Sequence, residues 1–462
     1  MKLKPLAIVA GLLFLVAPAF LSAPIGMPGA AWLASGLAFT MALWWLTEAL
    51  PLPATALLPL AVAPLLGIAD LSEIATSFGH PLIFLFLGGF LLAKAIEKSG
   101  LHERMAFTLL RIAGERPDRI LASIMLTTAF LSLWISNTAS AMVVTPIAAA
   151  VAASQTERPE FGTALMLGVA FAATIGGMGS LIGTPPNAIF AAHLSTAYGI
   201  EVGFARWAAV GVPTAIVMLA IAWWVLSRFT PRLQAGKLKI SFGEGLGKMR
   251  VSERRVGFIA GLTALAWISR PMFEALFPTL ALTDAGIAML ASIALFIIPS
   301  GHGERLLDWD TVATLRWDVL ILFGGGLALA GILDQTGLAV WIGGQIEILN
   351  QLPVILLLFI MATVIVYVGE LASNTAMAAI FLPIAGAVAV SLNTDPVTFM
   401  LPLALAASIG FMLPVATPPN AIVFVSPSVT RGDMLRAGAP LDLAGILITV
   451  GIGSIMASFV LG

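Results

Sequence analysis

Apolar residues fill most of the chain in long runs, and polar residues interrupt those runs at places that recur. A run of roughly 20 apolar residues crosses about 30 Å of hydrocarbon as a helix. By that measure helices are predicted near residues 5–23, 29–48, 52–68, 80–98, 204–229, 255–270, 284–299, 317–334 and 438–460. Two longer runs, near 162–195 and 395–426, contain Pro185-Pro186 and Pro418-Pro419. Proline lacks an amide hydrogen and clashes with the preceding turn, so each of these predicts a broken helix. Two further runs, near 118–153 and 352–391, are interrupted by Ser136-Asn137-Thr138 and Ser373-Asn374-Thr375. Each is too long for one span and divides into halves too short to span comfortably. Non-helical backbone at membrane depth is tolerated where it lines a site, so each predicts a re-entrant hairpin that enters and leaves on one side.

The interruptions come in matched pairs. The two Ser-Asn-Thr triplets are offset by 373 − 136 = 237 residues. Gly183-Thr184-Pro185-Pro186-Asn187 and Ala416-Thr417-Pro418-Pro419-Asn420 are offset by 417 − 184 = 233. Gly100-Leu101 and Gly337-Leu338 are again 237 apart, each preceded by a Gly-rich apolar segment. The segments after these Gly-Leu pairs, near 101–116 and 338–350, are short and semi-polar and predict interfacial helices. The chain therefore divides into a first helix outside the repeat (1–28), a first repeat (29–229), a linker (230–254) and a second repeat (255–462).

Composition excludes a soluble domain. The chain is 59% hydrophobic and 10% charged, against about 25% charged in ordinary soluble domains. There is no cysteine, and the four histidines have no metal-ligand spacing. The net charge of −1 says little about partners, and no nucleic-acid partner is expected. The apolar run after Met1-Lys2-Leu3-Lys4 is long for a signal peptide and predicts an uncleaved first helix. Placing that N-terminus in the cytoplasm puts Lys94, Lys98, Arg104, Arg111, Arg116, Arg119 and the basic loop around Lys237 to Arg255 inside. Only Arg206 and Arg270 then fall outside, as the positive-inside rule requires. The predicted fold class is an all-α polytopic membrane protein with about 11 transmembrane helices and a C-terminus outside. The first hairpin enters from the cytoplasm and the second from the exterior, which makes an inverted-topology repeat.

The breaks carry the chemistry. A Ser-Asn-Thr tip presents backbone amides at the start of a half-helix, where they and the helix dipole attract an anion. The same residues offer carbonyl and hydroxyl oxygens to a hard cation. Thr-Pro-Pro-Asn frees further carbonyls. No Lys, Arg or His lies within the motifs, so a bound Na⁺ would supply the positive charge that an anion needs. Broken helices at corresponding places in two halves point to the substrate site of a secondary transporter. Glu370, beside the second triplet, is a candidate for tuning the site. Glu48 and His193 are read as boundary and structural residues, and the glycines of the helices near 80–98 and 317–334 as packing positions. The sequence has no HExxH motif, and no Ser–His or paired-Asp constellation at membrane depth, so no enzymatic activity is expected.

These motifs, together with Trp45-Leu46-Thr47-Glu48-Ala49-Leu50-Pro51-Leu52-Pro53, resemble the divalent anion:sodium symporter family over nearly the whole chain. The resemblance implies a homodimer in the inner (plasma) membrane, working by an elevator movement of a transport domain against a scaffold. It implies Na⁺-coupled symport of C4-dicarboxylates such as succinate, malate or fumarate, with Na⁺ as coupling ion and no other cofactor. A sodium-independent exchanger, or a carrier of citrate, sulfate or another anion, belongs to the same resemblance. The substrate carboxylates would meet Asn137, Thr138, Asn374 and Thr375, with Thr184 and Thr417 nearby. One Na⁺ would lie among Ser132, Ser136, Asn137 and Gly183, and a second among Gly369, Ala372, Asn374 and Ala416. Gly369 stands where the first half has Ser132, so the second set lacks that hydroxyl.

Overall fold

The structure is a computed structural model that describes residues 3–111, 114, 116–153, 159–229, 247–277, 279, 281–301, 303–345 and 352–457. Among them the regular elements are all helices, and eight helices are long and apolar enough to cross a membrane. The first part of the chain forms α1 (Leu3–Phe20), α2 (Gly29–Thr47), α3 (Leu52–Ala56), α4 (Leu58–Leu65), α5 (Leu71–Phe78), α6 (Pro81–Ser99) and α7 (Leu101–Arg111). The expected third span, 52–68, is instead two short helices. Pro59 near the start of α4 removes an amide and crowds the turn that α3 would have continued. The helix expected at 80–98 is α6, preceded by α5, which its hydropathy alone did not separate.

The first interrupted stretch folds as α8 (Pro117–Ser132) and α9 (Asn137–Ala153), with residues 133–136 non-helical between them. The second folds the same way as α18 (Val354–Gly369) and α19 (Asn374–Ser391), with 370–373 between them. At 1.5 Å per residue such helices reach about 24–27 Å, short of the hydrocarbon thickness. The proline breaks also fall as predicted. α10 (Pro159–Met178) and α11 (Pro185–Tyr198) flank the first, and α20 (Pro396–Ala406) and α21 (Pro418–Phe424) flank the second. Each half closes on a long helix, α12 (Phe204–Phe229) and α22 (Arg431–Met456). After α12 the second half opens with α13 (Val251–Leu276), α14 (Asp284–Ile297), α15 (Trp309–Ala313), α16 (Trp317–Gln335) and α17 (Leu338–Gln345). α13 begins inside the expected linker, because the Glu253 carboxylate accepts from the Arg250 amide (2.6 Å) and from Arg104 Nε (3.0 Å) and so caps the helix early. Residues 230–246 of that linker lie outside the described residues.

The repeat is visible in the turns. Gly100 and Gly337 both take the left-handed conformation (φ 79° and 76°) that ends α6 and α16, which a residue with a Cβ adopts only at a cost. Glycines of α6 and α16 do serve close packing. A Cβ on Gly88 would overlap Ala288, and one on Gly325 would overlap the Ala56 carbonyl. α10 is buried from Phe161 to Met178, packed by α8, α9, α12 and α21. α13 by contrast exposes Phe258, Leu262, Leu265, Ile268 and Met272, a surface suited to hydrocarbon. Charges gather by end. Lys98 pairs with Asp308, Arg104 with Glu253, and Arg255 with the Pro299 carbonyl, whereas Arg270 pairs with Glu274 and Asp284 near the opposite end of α13. Arg255 and Arg270 thus lie toward opposite ends of α13, and Arg104 meets α13 at the Arg255 end.

Candidate functional site

The second arms of the two hairpins and the half-helices after the two proline breaks pack in crossed pairs. α9, the second arm of the first hairpin, packs on α21 of the other half, and α11 packs on α19. Phe171 of α10 meets Phe411 edge to face, with centroids 5.2 Å apart. Within each half a helix start lies beside the proline break: Asn137 beside Gly177, and Asn374 beside Gly410, which also adjoins Ala416 and Thr417. Helix N-termini concentrate unpaired amides and positive dipole ends, a setting for an anion that needs no basic side chain. Ser136 Oγ accepts from the Ala139 amide (3.2 Å) at the start of α9, whereas Ser373 caps no amide of α19. Thr138, Asn137, Asn374 and Thr375 are half-buried and Ser136 is exposed, so the tips are reachable. Thr184 and Thr417, at the N-caps of α11 and α21, are buried just behind them.

The asparagine of each Thr-Pro-Pro-Asn motif folds back and holds the unwound chain before it. Asn187 Nδ2 donates to the carbonyls of Gly177 (3.1 Å) and Ser180 (2.8 Å). Asn420 Nδ2 donates to those of Gly410 (3.1 Å) and Leu413 (2.9 Å). Every residue in the second set is its first-half counterpart plus 233. Both asparagines are fully buried, so their amides replace the helical partners that these carbonyls lost. Sequence reasoning quoted these asparagines within the motif without giving them this work; their repetition was the available signal.

The first half gathers oxygens. Ser132 Oγ lies 2.6 Å from Asn137 Oδ1 and 2.7 Å from the Ala173 carbonyl oxygen. One hydroxyl has one proton, so it satisfies one of these acceptors and leaves the other short contact between bare oxygens. Gly177 and Gly183 bring backbone in from the other side: a Cβ on Gly177 would overlap the Asn137 amide, and one on Gly183 would lie 3.0 Å from the Ser132 carbonyl oxygen. Ser132, Asn137 and Gly183 of the predicted Na⁺ set are therefore together, and the contacts that join them do not include Ser136. In the second half Gly410 stands beside Asn374 Oδ1, Ala416 and Thr417, and Gly369 beside Asn374 Oδ1. Ala372 joins through its amide, which donates to the Gly369 carbonyl (3.2 Å). With no hydroxyl at position 369, Asn374 Oδ1 is buried without a donor. A convergence of oxygens with too few protons suits a hard cation.

Glu370 follows Gly369 directly and is buried. Its carboxylate accepts from the amides of Met412 (2.8 Å) and Leu413 (2.7 Å), in the unwound chain after α20. Asp442 of α22, fully buried, accepts from the Phe411 amide (3.1 Å). The sequence reading does not single out Asp442, although an acid inside an apolar helix is the sign that marks it. Glu48 is exposed and ends α2 in the left-handed region (φ 46°). His193 is buried in α11, edge to face with Tyr198.

With this geometry in view, comparison with known proteins decides the family. The model of the sodium:sulfate symporter transmembrane region matches residues 2–461. The chain belongs to the sodium:sulfate symporter family. Among curated relatives, the sodium-dependent dicarboxylate transporter SdcS of Staphylococcus saprophyticus is 38% identical over 437 residues, covering 90% of this chain and 84% of the relative. The SdcS of Staphylococcus aureus strain USA300 is 39% identical over 436 residues with the same coverage. Among solved structures, the Alcanivorax borkumensis YdaH transporter has a TM-score of 0.63 at 16% identity, covering 84% of this chain and 88% of that one. That likeness speaks to the fold alone. These relatives are transporters rather than enzymes.

Proposed function

We propose that the protein is a Na⁺-coupled symporter of C4-dicarboxylates in the plasma membrane. The observation that carries this reading is the first-half oxygen cluster of Ser132 Oγ, Asn137 Oδ1 and the Ala173 carbonyl, which holds one proton too few and adjoins the helix starts that favour an anion. A Na⁺ there draws on Ser132, Ser136, Asn137 and Gly183; a second draws on Gly369, Ala372, Asn374 and Ala416. The dicarboxylate lies between the tips, with Asn137, Thr138, Asn374 and Thr375 at its carboxylates and Thr184 and Thr417 behind. Each Na⁺ offsets anionic charge that no basic residue meets, so ion and anion bind together and neither binds well alone. The SdcS relatives are named for sodium-dependent dicarboxylate transport, which favours this substrate class.

The two halves are inverted repeats in this reading, with the N-terminus cytoplasmic and the C-terminus outside. Two copies form a homodimer, and the hairpins with α10–α12 and α20–α22 move as an elevator against the rest. Gly462 lies outside the described residues, and a cysteine placed there in this cysteine-free chain reports its side by labelling. The function is tested by uptake of labelled succinate into proteoliposomes with and without a Na⁺ gradient. Na⁺-dependent, saturable uptake competed by malate and fumarate is expected. The family description names sulfate, so competition by sulfate in place of the dicarboxylates would reassign the substrate. Uptake indifferent to Na⁺ but driven by internal dicarboxylate would make the protein an exchanger.

A further inference from the structure

The second proline break is longer than the first. Counting by the 233-residue offset, α10 ends at Met178 and α20 would end at Phe411, yet α20 stops at Ala406. The chain from 407 to 417 is non-helical: Ala407 still donates to the Leu403 carbonyl and Ser408 and Ile409 make turn bonds, but the amides of Phe411, Met412 and Leu413 turn to side chains. At membrane depth such amides need other acceptors. Two carboxylates, one on α22 and one on the hairpin tip, supply them for three successive residues: Asp442 for Phe411, and Glu370 for Met412 and Leu413. The corresponding place in the first hairpin is Leu133, since 370 − 237 = 133, and α12, the counterpart of α22, carries no Asp or Glu. There the joints are neutral: Ser180 Oγ donates to the Leu133 carbonyl (2.6 Å) and Trp207 Nε1 to the Met178 carbonyl (3.0 Å).

We infer that Glu370 and Asp442 form a carboxylate clamp that positions the second-half cation site. The inference rests on the Na⁺-coupled reading above. Glu370 sits on the hairpin tip between Gly369 and Ala372, and its two bonds reach the chain that carries Gly410 and Ala416 to Asn374. One side chain therefore ties together the two pieces of backbone that must meet around the ion. Asp442 anchors the adjoining residue of the same chain, Phe411, to α22, and its Oδ2 has no donor. Two adjacent buried carboxylates favour a cation close by, and the second Na⁺ supplies one. The clamp thus gives the half that lacks a hydroxyl at position 369 another means of holding its ion.

The test compares Glu370→Gln, Asp442→Leu and Asp442→Asn with wild type in proteoliposomes, reading both the Na⁺ concentration for half-maximal succinate uptake and the maximal rate at saturating Na⁺. Glutamine offers one acceptor oxygen to two amides, so Glu370→Gln is expected to raise the Na⁺ requirement roughly tenfold, in line with losing a hydrogen bond to a charged group. Asp442→Leu, which strands the Phe411 amide, does the same. Asp442→Asn keeps the acceptor for Phe411, and is expected to retain a Na⁺ requirement closer to wild type than Asp442→Leu does. Should Asp442→Leu fail to fold, the other two variants decide. Folded Glu370→Gln with an unshifted Na⁺ requirement overturns the clamp, as does a fall in maximal rate alone. Wild-type uptake without Na⁺ dependence overturns the functional reading and the clamp with it, whereas Na⁺-dependent wild type with unshifted variants overturns the clamp only.

Discussion

The two halves share a backbone plan and differ in what holds it. Both place a non-helical tip before Asn137 or Asn374, and both fold an asparagine back onto carbonyls at matching positions. The first half completes its oxygen cluster with the Ser132 hydroxyl and joins its parts by neutral hydrogen bonds. The second has Gly369 in that place, leaves Asn374 Oδ1 without a donor, unwinds α20 five residues sooner by register, and secures the freed amides with Glu370 and Asp442. The difference teaches that duplication preserves the parts that shape the site, the tip and the back-folded asparagine, while each half meets the electrostatic demand of an ion in its own way.

The largest effect is expected where the halves agree. Asn187→Leu and Asn420→Leu each strand buried carbonyls, at about 1–3 kcal/mol for each one left unpaired. Both should lose most uptake and melt earlier in detergent, and a variant that melts like wild type would show that its back-folded amide is dispensable. Next come the tips. Thr138→Ala and Thr375→Ala each remove one hydroxyl, at about 0.5–1.5 kcal/mol, so succinate affinity should weaken in both while melting is unchanged. An effect in only one of them would assign the substrate to that half.

Exchanging the unlike residues sharpens the comparison. Ser132→Ala should raise the Na⁺ requirement, and Gly369→Ser should lower it, each by an amount of about 1 kcal/mol for one hydroxyl. The space for the second change exists: a Cβ on Gly369 meets Met377 at 3.6 Å and Asn374 Oδ1 at 3.7 Å, ordinary contacts. The smallest effect lies at the surface, away from both sites. Lys98 holds the exposed Asp308 carboxyl down at about 2, through their hydrogen bond first and the Thr311 bonds after it. A lowered folded-state value means that the contribution to stability is present above the ordinary Asp range and fades as pH falls toward 2. Lys98→Ala should therefore flatten the acid limb of the melting profile below about pH 4 and change little at pH 7, because an exposed pair is worth little.

Much of this plan was legible in the chain. The hairpins and proline breaks were readable because Ser-Asn-Thr and Thr-Pro-Pro-Asn are rare in apolar runs and occur twice at nearly one offset. The break of the third helix was harder to see, since Pro59 and Pro64 also suit a helix's first turn or end and hydropathy ignores them. The early end of α20 had little local signal: only Ser408 interrupts the apolar run through Ile409, and the acceptors that take the freed amides, Glu370 of the hairpin tip and Asp442 of α22, are distant in sequence. Glu370 was visible as an acid beside a motif, but its partnership with Asp442 is a tertiary fact that neither residue announces alone.

The central claim is that cation and anion complete one site, and equilibrium linkage tests it most directly. Succinate affinity of the purified protein is measured across a Na⁺ series, and Na⁺ affinity with and without succinate, since coupling free energy is reciprocal. Na⁺ is expected to tighten succinate binding, and succinate to tighten Na⁺ binding by the same factor. Succinate affinity that stays flat from Na⁺-free to Na⁺-saturated buffer would contradict the account.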